Sequence, residues 1–424
     1  MPGLDMVRRK SAWLARLGGA SRLPAARGSV FAEPDFVRLW VVGLVVFAVR
    51  WLEMLAVAVF AYQRTGSPFV VALLTMLRVL PMALFGAVIG AAAERVERRT
   101  ALVFVLVSML LTSLSLAILA WTGTLAIWHL AVASFINGVG WTTDNPVRRT
   151  LIGEAVGSER MSAAMSIDVG ANNASRMLGP TLGGVLLAGV GIGGAFTTSV
   201  LCYLVAIAAA LQLRYRSGGG PPTAESIVAR MIAGLRVVRH DRRLTSILVI
   251  TVIYNVFGWP FTSMVPVIGH DRLALGPAGI GVLSSMDGVG AFCGAVVIAI
   301  GARPAFFSRL YLGGVFGYLL LVPFFAWAAY PVLAGSVLLA TGLANAGFSI
   351  MQATLVYLAA PAEMRSRVFG VLSVCIGTGM LGFIHIGVLA DLIGAPAAAA
   401  ATGIEGLIAL LLTRRWWWPL IHPG

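Results

Sequence analysis

Residues 36–62 read FVRLWVVGLVVFAVRWLEMLAVAVFAY, an almost unbroken apolar run whose only charges are Arg38, Arg50 and Glu53. A helix needs about 20 apolar residues to cross a hydrocarbon core of about 30 Å. This run therefore predicts a membrane span, and the same pattern recurs along the chain. Further spans are expected near 69–93, 100–121, 125–149, 161–189 and 194–213, then near 244–268, 277–300, 307–328, 331–358, 366–391 and 396–413.

Composition leads to the same class. Of 424 residues, 59% are hydrophobic and 11% charged, too little polar surface to solvate a globular body that buries so much apolar side chain. None of the runs alternates as a barrel strand does, and 49 glycines suit close helix contacts in lipid. The net charge of +14 would suggest nucleic acid in a soluble protein, but its placement argues otherwise. Seven of the 31 basic residues lie before Val41, seven lie from Arg214 to Arg243, and twelve fall in alternate short joints and the C-terminal tail. In the opposite joints there are only Arg64 and Arg272. By the positive-inside rule the basic side is cytoplasmic, with both termini there and an even number of spans. Lys10 is the one lysine, which fits a GC-rich bacterial genome and a plasma (inner) membrane.

The expected organisation is a basic cytoplasmic tail (1–35) able to touch anionic lipid, a six-helix bundle (36–213), a cytoplasmic loop (214–243), a second six-helix bundle (244–413) and a tail (414–424). In the loop, Ile227, Met231, Leu235 and Val238 share one face of an amphipathic helix. The halves keep a trace of duplication. Thr150-Leu151 precedes Glu159-Arg160, and Thr354-Leu355 precedes Glu363 and Arg365 at matching spacing. The run Trp416-Trp417-Trp418 reads as an interfacial anchor.

Between the second and third spans stands Gly86-x3-Gly90-x3-Glu94-Arg95-x2-Arg98-Arg99. Small residues bring the helix close to a neighbour, and the charges can latch one conformation. The fifth span carries Arg176-x2-Gly179-Pro180-x2-Gly183-Gly184, in which proline removes a backbone donor and the glycines leave a groove. The first motif resembles the loop signature of the major facilitator superfamily, and the second the Gly-Pro element of its exporters. Phe36-Val-Arg-Leu-Trp40, Thr65-Gly66-Ser67-Pro68 and Gly234-Leu-Arg-Val-Val-Arg239 look like the drug and siderophore exporter group that includes enterobactin exporters.

The resemblance implies an all-α integral membrane protein of twelve helices in two pseudo-symmetric six-helix bundles. It also implies Asp144 as the partner of Arg98 in a latch with Gly90, Glu94, Arg95 and Arg99. Where the group often has Gly-Asp-Trp, this chain reads Val49-Arg50-Trp51, with Glu53 one turn on.

Charges inside spans are costly and default to paired or functional roles. Glu53 and Asp287 are the expected proton-coupling acids. Asp287 is the better candidate because no basic residue is its neighbour in sequence, whereas Arg50 and Glu53, three apart, can neutralise each other. Arg78 and Arg176 either hold an anionic substrate group or pair with acids across the bundle. With Arg50, Asn137, Asn172, Asn255, Gln352 and His385 they make up the expected substrate cavity. Cys202, Cys293 and Cys375 show no paired spacing, and there is no phosphate loop.

The reading is a non-enzymatic, monomeric secondary transporter without cofactor, metal or nucleic-acid partner. It is expected to export a drug-like compound or siderophore on the proton gradient. Uptake, lipid flipping, or a receptor or scaffold role are the alternatives.

Overall fold

The computed structural model describes residues 29–93, 97–214 and 227–421. Every regular element among them is helical: α1 Pro34–Thr65, α2 Pro68–Ala93, α3 Arg98–Trp121, α4 Ile127–Leu211, α5 Ile227–His240, α6 Arg242–Ile253 and α7 Val265–Asp271. There follow α8 Pro277–Gly301, α9 Phe307–Ala326, α10 Pro331–Ala359, α11 Arg365–Gly377, α12 Gly379–Ile393, α13 Ala395–Leu412 and α14 Arg414–Ile421. Among the described residues nine helices are long and apolar enough to cross a membrane.

Prolines and glycines punctuate these helices. Pro34 opens α1 and Gly66, at φ 65°, closes it. The 85-residue α4 is broken at Gly157 (φ 75°, ψ 169°) and Gly191 (φ 69°, ψ −175°). Side chains rarely adopt that backbone, so single glycines do the work of the loops expected there. The arms are 127–156, 158–190 and 192–211. Between α6 and α7 the chain passes through a π-helical turn, Tyr254–Gly258, and a 3-10 stretch, Trp259–Met264. Pro260 and Pro266 lack the N–H a regular helix would use there.

Two cores result. Up to Leu213 the buried residues include Phe36, Leu39, Leu102, Leu106, Leu151 and Tyr203. From Val238 onward they centre on an aromatic stack in which Phe348 meets Tyr254 at 3.8 Å and Tyr311 at 5.6 Å between ring centroids. Large apolar side chains such as Ile300 and Val332 cover the outside, as a lipid-facing surface requires. On α5 the buried edge runs through Gly234 and Val238, while Leu235 points outward. Gly234 sits against the Arg367 carbonyl of α11.

Helices approach most closely where side chains are smallest, both within the N-terminal group and between the two groups. Gly183 lies so close to α1 that a Cβ there would stand 2.7 Å from the Leu52 carbonyl oxygen, and Gly179 faces Trp51. Gly184 meets Pro277 and Gly281 at the start of α8, and Gly288 meets the backbone of Arg176. With no hydrophobic drive between helices in lipid, such close approach supplies the packing. Gly189 has nothing nearby. Gly183→Leu is expected to cost about 1–3 kcal/mol by overpacking and to lower the thermal unfolding midpoint in detergent, with Gly189→Leu as a neutral control. Equal midpoints would show that this approach does not hold the helices.

Candidate functional site

A cavity of about 90 Å³ lies between the two groups. Arg50 and Trp51 of α1, Arg78 of α2, and Trp141 and Arg176 of α4 form one wall. Trp259 and Phe261 of the irregular stretch, with Ser284 and Asp287 of α8, form the other. Sites for drug-sized ligands run to about 300–1,000 Å³, so in this conformation the helices are drawn in around it.

The decisive contact crosses the cavity. Arg176 forms an ion pair with Asp287, 111 residues away in sequence, and both are largely buried. The Asn345 amide of α10 points its oxygen at the same guanidinium, accepting at 2.7 and 3.1 Å, while its nitrogen donates to the Tyr254 hydroxyl at 2.8 Å. The second arm of α4 is thereby held by two residues of the C-terminal group. Asp287 has no basic neighbour in sequence, and its partner is supplied across the bundle, one of the two roles expected for Arg176.

Glu53 also differs from expectation. It is sealed, and accepts hydrogen bonds from Ser113 Oγ at 2.7 Å and Asn137 Nδ2 at 3.1 Å. The cation nearest in effect is Arg78, not Arg50, and neither makes an ion-pair contact with it. Arg50 instead lies over the Trp141 ring, 3.6 Å from its centre, and 5.2 Å from that of Trp51.

Of the expected cavity residues, Arg50, Arg78 and Arg176 are brought together and the others fall outside the lining. Asn137 serves Glu53, and Asn172 is half-buried in α4 with its amide oxygen enclosed and unpartnered. Asn255 donates to the Thr251 carbonyl and Gln352 to the Thr251 hydroxyl, inside the C-terminal core. His385 meets Glu405 of α13 at 2.6 Å, with Phe257 beside its ring. Trp51, Trp141 and Trp259 were not expected in the site. Trp141 had a legible signal: Asn137, Trp141, Asp144 and Arg148 recur every three or four residues, a polar stripe on one face of a span.

The latch is rearranged. Glu94 and Arg95 lie outside the described residues, and Gly90 is in the last turn of α2. Arg98 pairs with Glu154, not Asp144, and Arg99 reaches the Leu211 carbonyl at 2.5 Å. Asp144 is wholly buried one turn before Arg148, which it meets at 3.3 Å. Arg148 also pairs with Asp168, and Arg149 meets the other Asp168 oxygen at 3.1 Å. The local i,i+4 pair and the break at Gly157 bring first- and second-arm charges together, leaving Asp144 no face toward Arg98.

The sequence profile of the transmembrane secretion effector family matches residues 27–421. The chain belongs to that family of major facilitator transporters. The multidrug efflux pump Tap of Mycolicibacterium fortuitum is 26% identical over 405 residues, covering 88% of this chain and 92% of the pump. The staphyloferrin A transporter of Staphylococcus aureus is 19% identical over 254 residues, 59% of this chain and 64% of that protein. A bacterial homologue of the lysosomal transporter Spinster, solved in an inward-facing and unoccupied conformation, superposes with a TM-score of 0.71 at 13% identity. The alignment covers 92% of this chain and 96% of the homologue. This family member is thus a multi-span membrane transporter with the major facilitator fold.

Two charge pairs of different burial give opposed expectations. Arg148→Met leaves Asp144 buried without its partner and Asp168 with Arg149 alone, and should cost about 3–5 kcal/mol, abolishing monodisperse protein after extraction. Arg98→Ala breaks a partly exposed pair and should cost about 1 kcal/mol or less, leaving the extracted protein intact. The reverse ranking would reject the assignment of Arg148 as the structural centre of the N-terminal group.

Proposed function

We propose that the chain is a secondary transporter of the bacterial plasma membrane that exports a small organic molecule, a drug-like compound or siderophore, by alternating access. Reading the three arms of α4 as separate crossings, and α2 as one in full, brings the long helices to twelve, six in each half. Alternate polar joints carry the basic residues, which supports cytoplasmic termini. The efflux pump among the relatives supports export.

The carrying observation is the cavity between the halves, crossed at mid-span by the Arg176–Asp287 pair. At the end away from the basic joints the halves meet again. Tyr62 donates to Asp271, and Asp391 accepts from Ser67 Oγ and Phe69 N, each at 3.1 Å. Closure at that end with a site at mid-span is what one state of an alternating-access cycle requires.

Coupling follows from the same pair. Asp287 borders the cavity and so can exchange a proton with it, whereas Glu53 is sealed behind Arg78. Protonation of Asp287 removes the charge that holds Arg176 and loosens the tie between the halves. The proton gradient thereby acts on the conformational equilibrium, with the monomer as working unit and Glu53 as a second, enclosed carboxylate.

Inside-out vesicles test this reading with a panel of lipophilic cations and of catecholate and hydroxycarboxylate siderophores. At least one compound is expected to accumulate when the lumen is acidified, to leak back when the gradient is collapsed, and to lose that dependence with Asp287→Asn. Accumulation of none, or equal accumulation with and without the gradient, would contradict it.

A further inference from the structure

The charges around the cavity do not balance. Arg176 is met by Asp287 and Glu53 lies near Arg78 without an ion-pair contact, but the charges nearest Arg50 among the described residues are the two other arginines. Its Nε is buried without a partner, and its terminal nitrogens make no hydrogen bond to the described residues. Stacking on Trp141 occupies a face of the guanidinium and leaves its edges, where the N–H donors are, free. A desolvated cation is costly without a counter-charge, and the tryptophan ring offsets only part of that cost. Nε of Arg78 and of Arg176 and Ser284 Oγ are likewise buried without partners beside the same space.

We infer that the transported molecule is an organic anion, docked by a carboxylate or comparable oxyanion on the free edge of Arg50. A guanidinium edge matches two oxygens of such a group in a bidentate contact. The apolar body of the molecule would lie against Trp51, Trp259 and Phe261, which share the lining. A neutral molecule leaves Arg50 unmatched and a cation adds repulsion, so the cavity selects by sign of charge. Export of an anion also runs with the electrical gradient of a cell that is negative inside. The inference rests on the transport reading and narrows its substrate class.

The test uses the purified full chain in lipid nanodiscs and three probes with one ring system, 2-naphthoate, 2-naphthamide and 2-naphthylmethylammonium, titrated by calorimetry. Naphthoate is expected to bind about tenfold or more tighter than the amide, as a charge-assisted contact allows, and the ammonium weakest. Arg50→Gln should bring naphthoate down to the amide's affinity, and Arg50→Lys should restore part of the difference. The anion assignment is overturned if naphthoate does not bind, if the amide or ammonium matches it, or if Arg50→Gln leaves its affinity unchanged. Labelling of Ser284→Cys in a cysteine-free background, from each face of the membrane in turn, reads alternating access separately. Labelling from both faces without preferred anion binding would retire the anion and keep the transporter.

Discussion

One ion pair at mid-span, Arg176 on the second arm of α4 with Asp287 on α8, is the constraint on which the arrangement depends. Away from bulk water an unpaired charge is costly, and each of these finds its partner in the other half. The glycines around them, Gly184 on α4 and Gly281 and Gly288 on α8, let the backbones come close enough for that contact. Glycine packing and the pair therefore form one device. The first sets how near the halves lie, and the second makes that nearness depend on charge.

Within the N-terminal half, the enclosed group Asp144, Arg148 and Asp168 acts differently. It joins the first and second arms of α4 across the bend at Gly157, and Arg148 lies 4.7 Å from the centre of the Phe47 ring of α1. With Arg149 on the second Asp168 oxygen, two acids meet two bases; such a network rigidifies, so the half can move as a body while the contacts at its boundary change. The cavity sits at that boundary, beside the one stretch where α6 gives way to π and 3-10 turns.

Much of the fold was legible because lipid imposes a simple rule of length and apolarity. Residues 36–62 and 277–300 reappear as α1 and α8 within a few positions. The breaks at Gly157 and Gly191 were expected as loops, since sequence shows a turn but not how short it can be. The site was legible in its ingredients and not in its pairings. Arg50, Arg78, Arg176 and Asp287 stood out because charge inside a span is rare, and all four border the cavity. Their partners depend on which helices face each other, which linear spacing does not reveal. Arg50 and Glu53, three apart, turn to Trp141 and to Ser113 and Asn137 instead of to each other. His385 and Gln352 looked equally polar, yet pack against Glu405 and Thr251.

If the charge on Asp287 ties the halves at mid-span, its loss frees them at the end away from the basic joints. Spin labels at Gln63 after the Tyr62 contact and at Ala274 before α8, both exposed, report the separation of the halves at that end by electron–electron resonance. The account predicts one short distance for the native chain in nanodiscs, and a second, longer population in Asp287→Asn, which mimics the protonated acid. An unchanged distance distribution in that variant would contradict it.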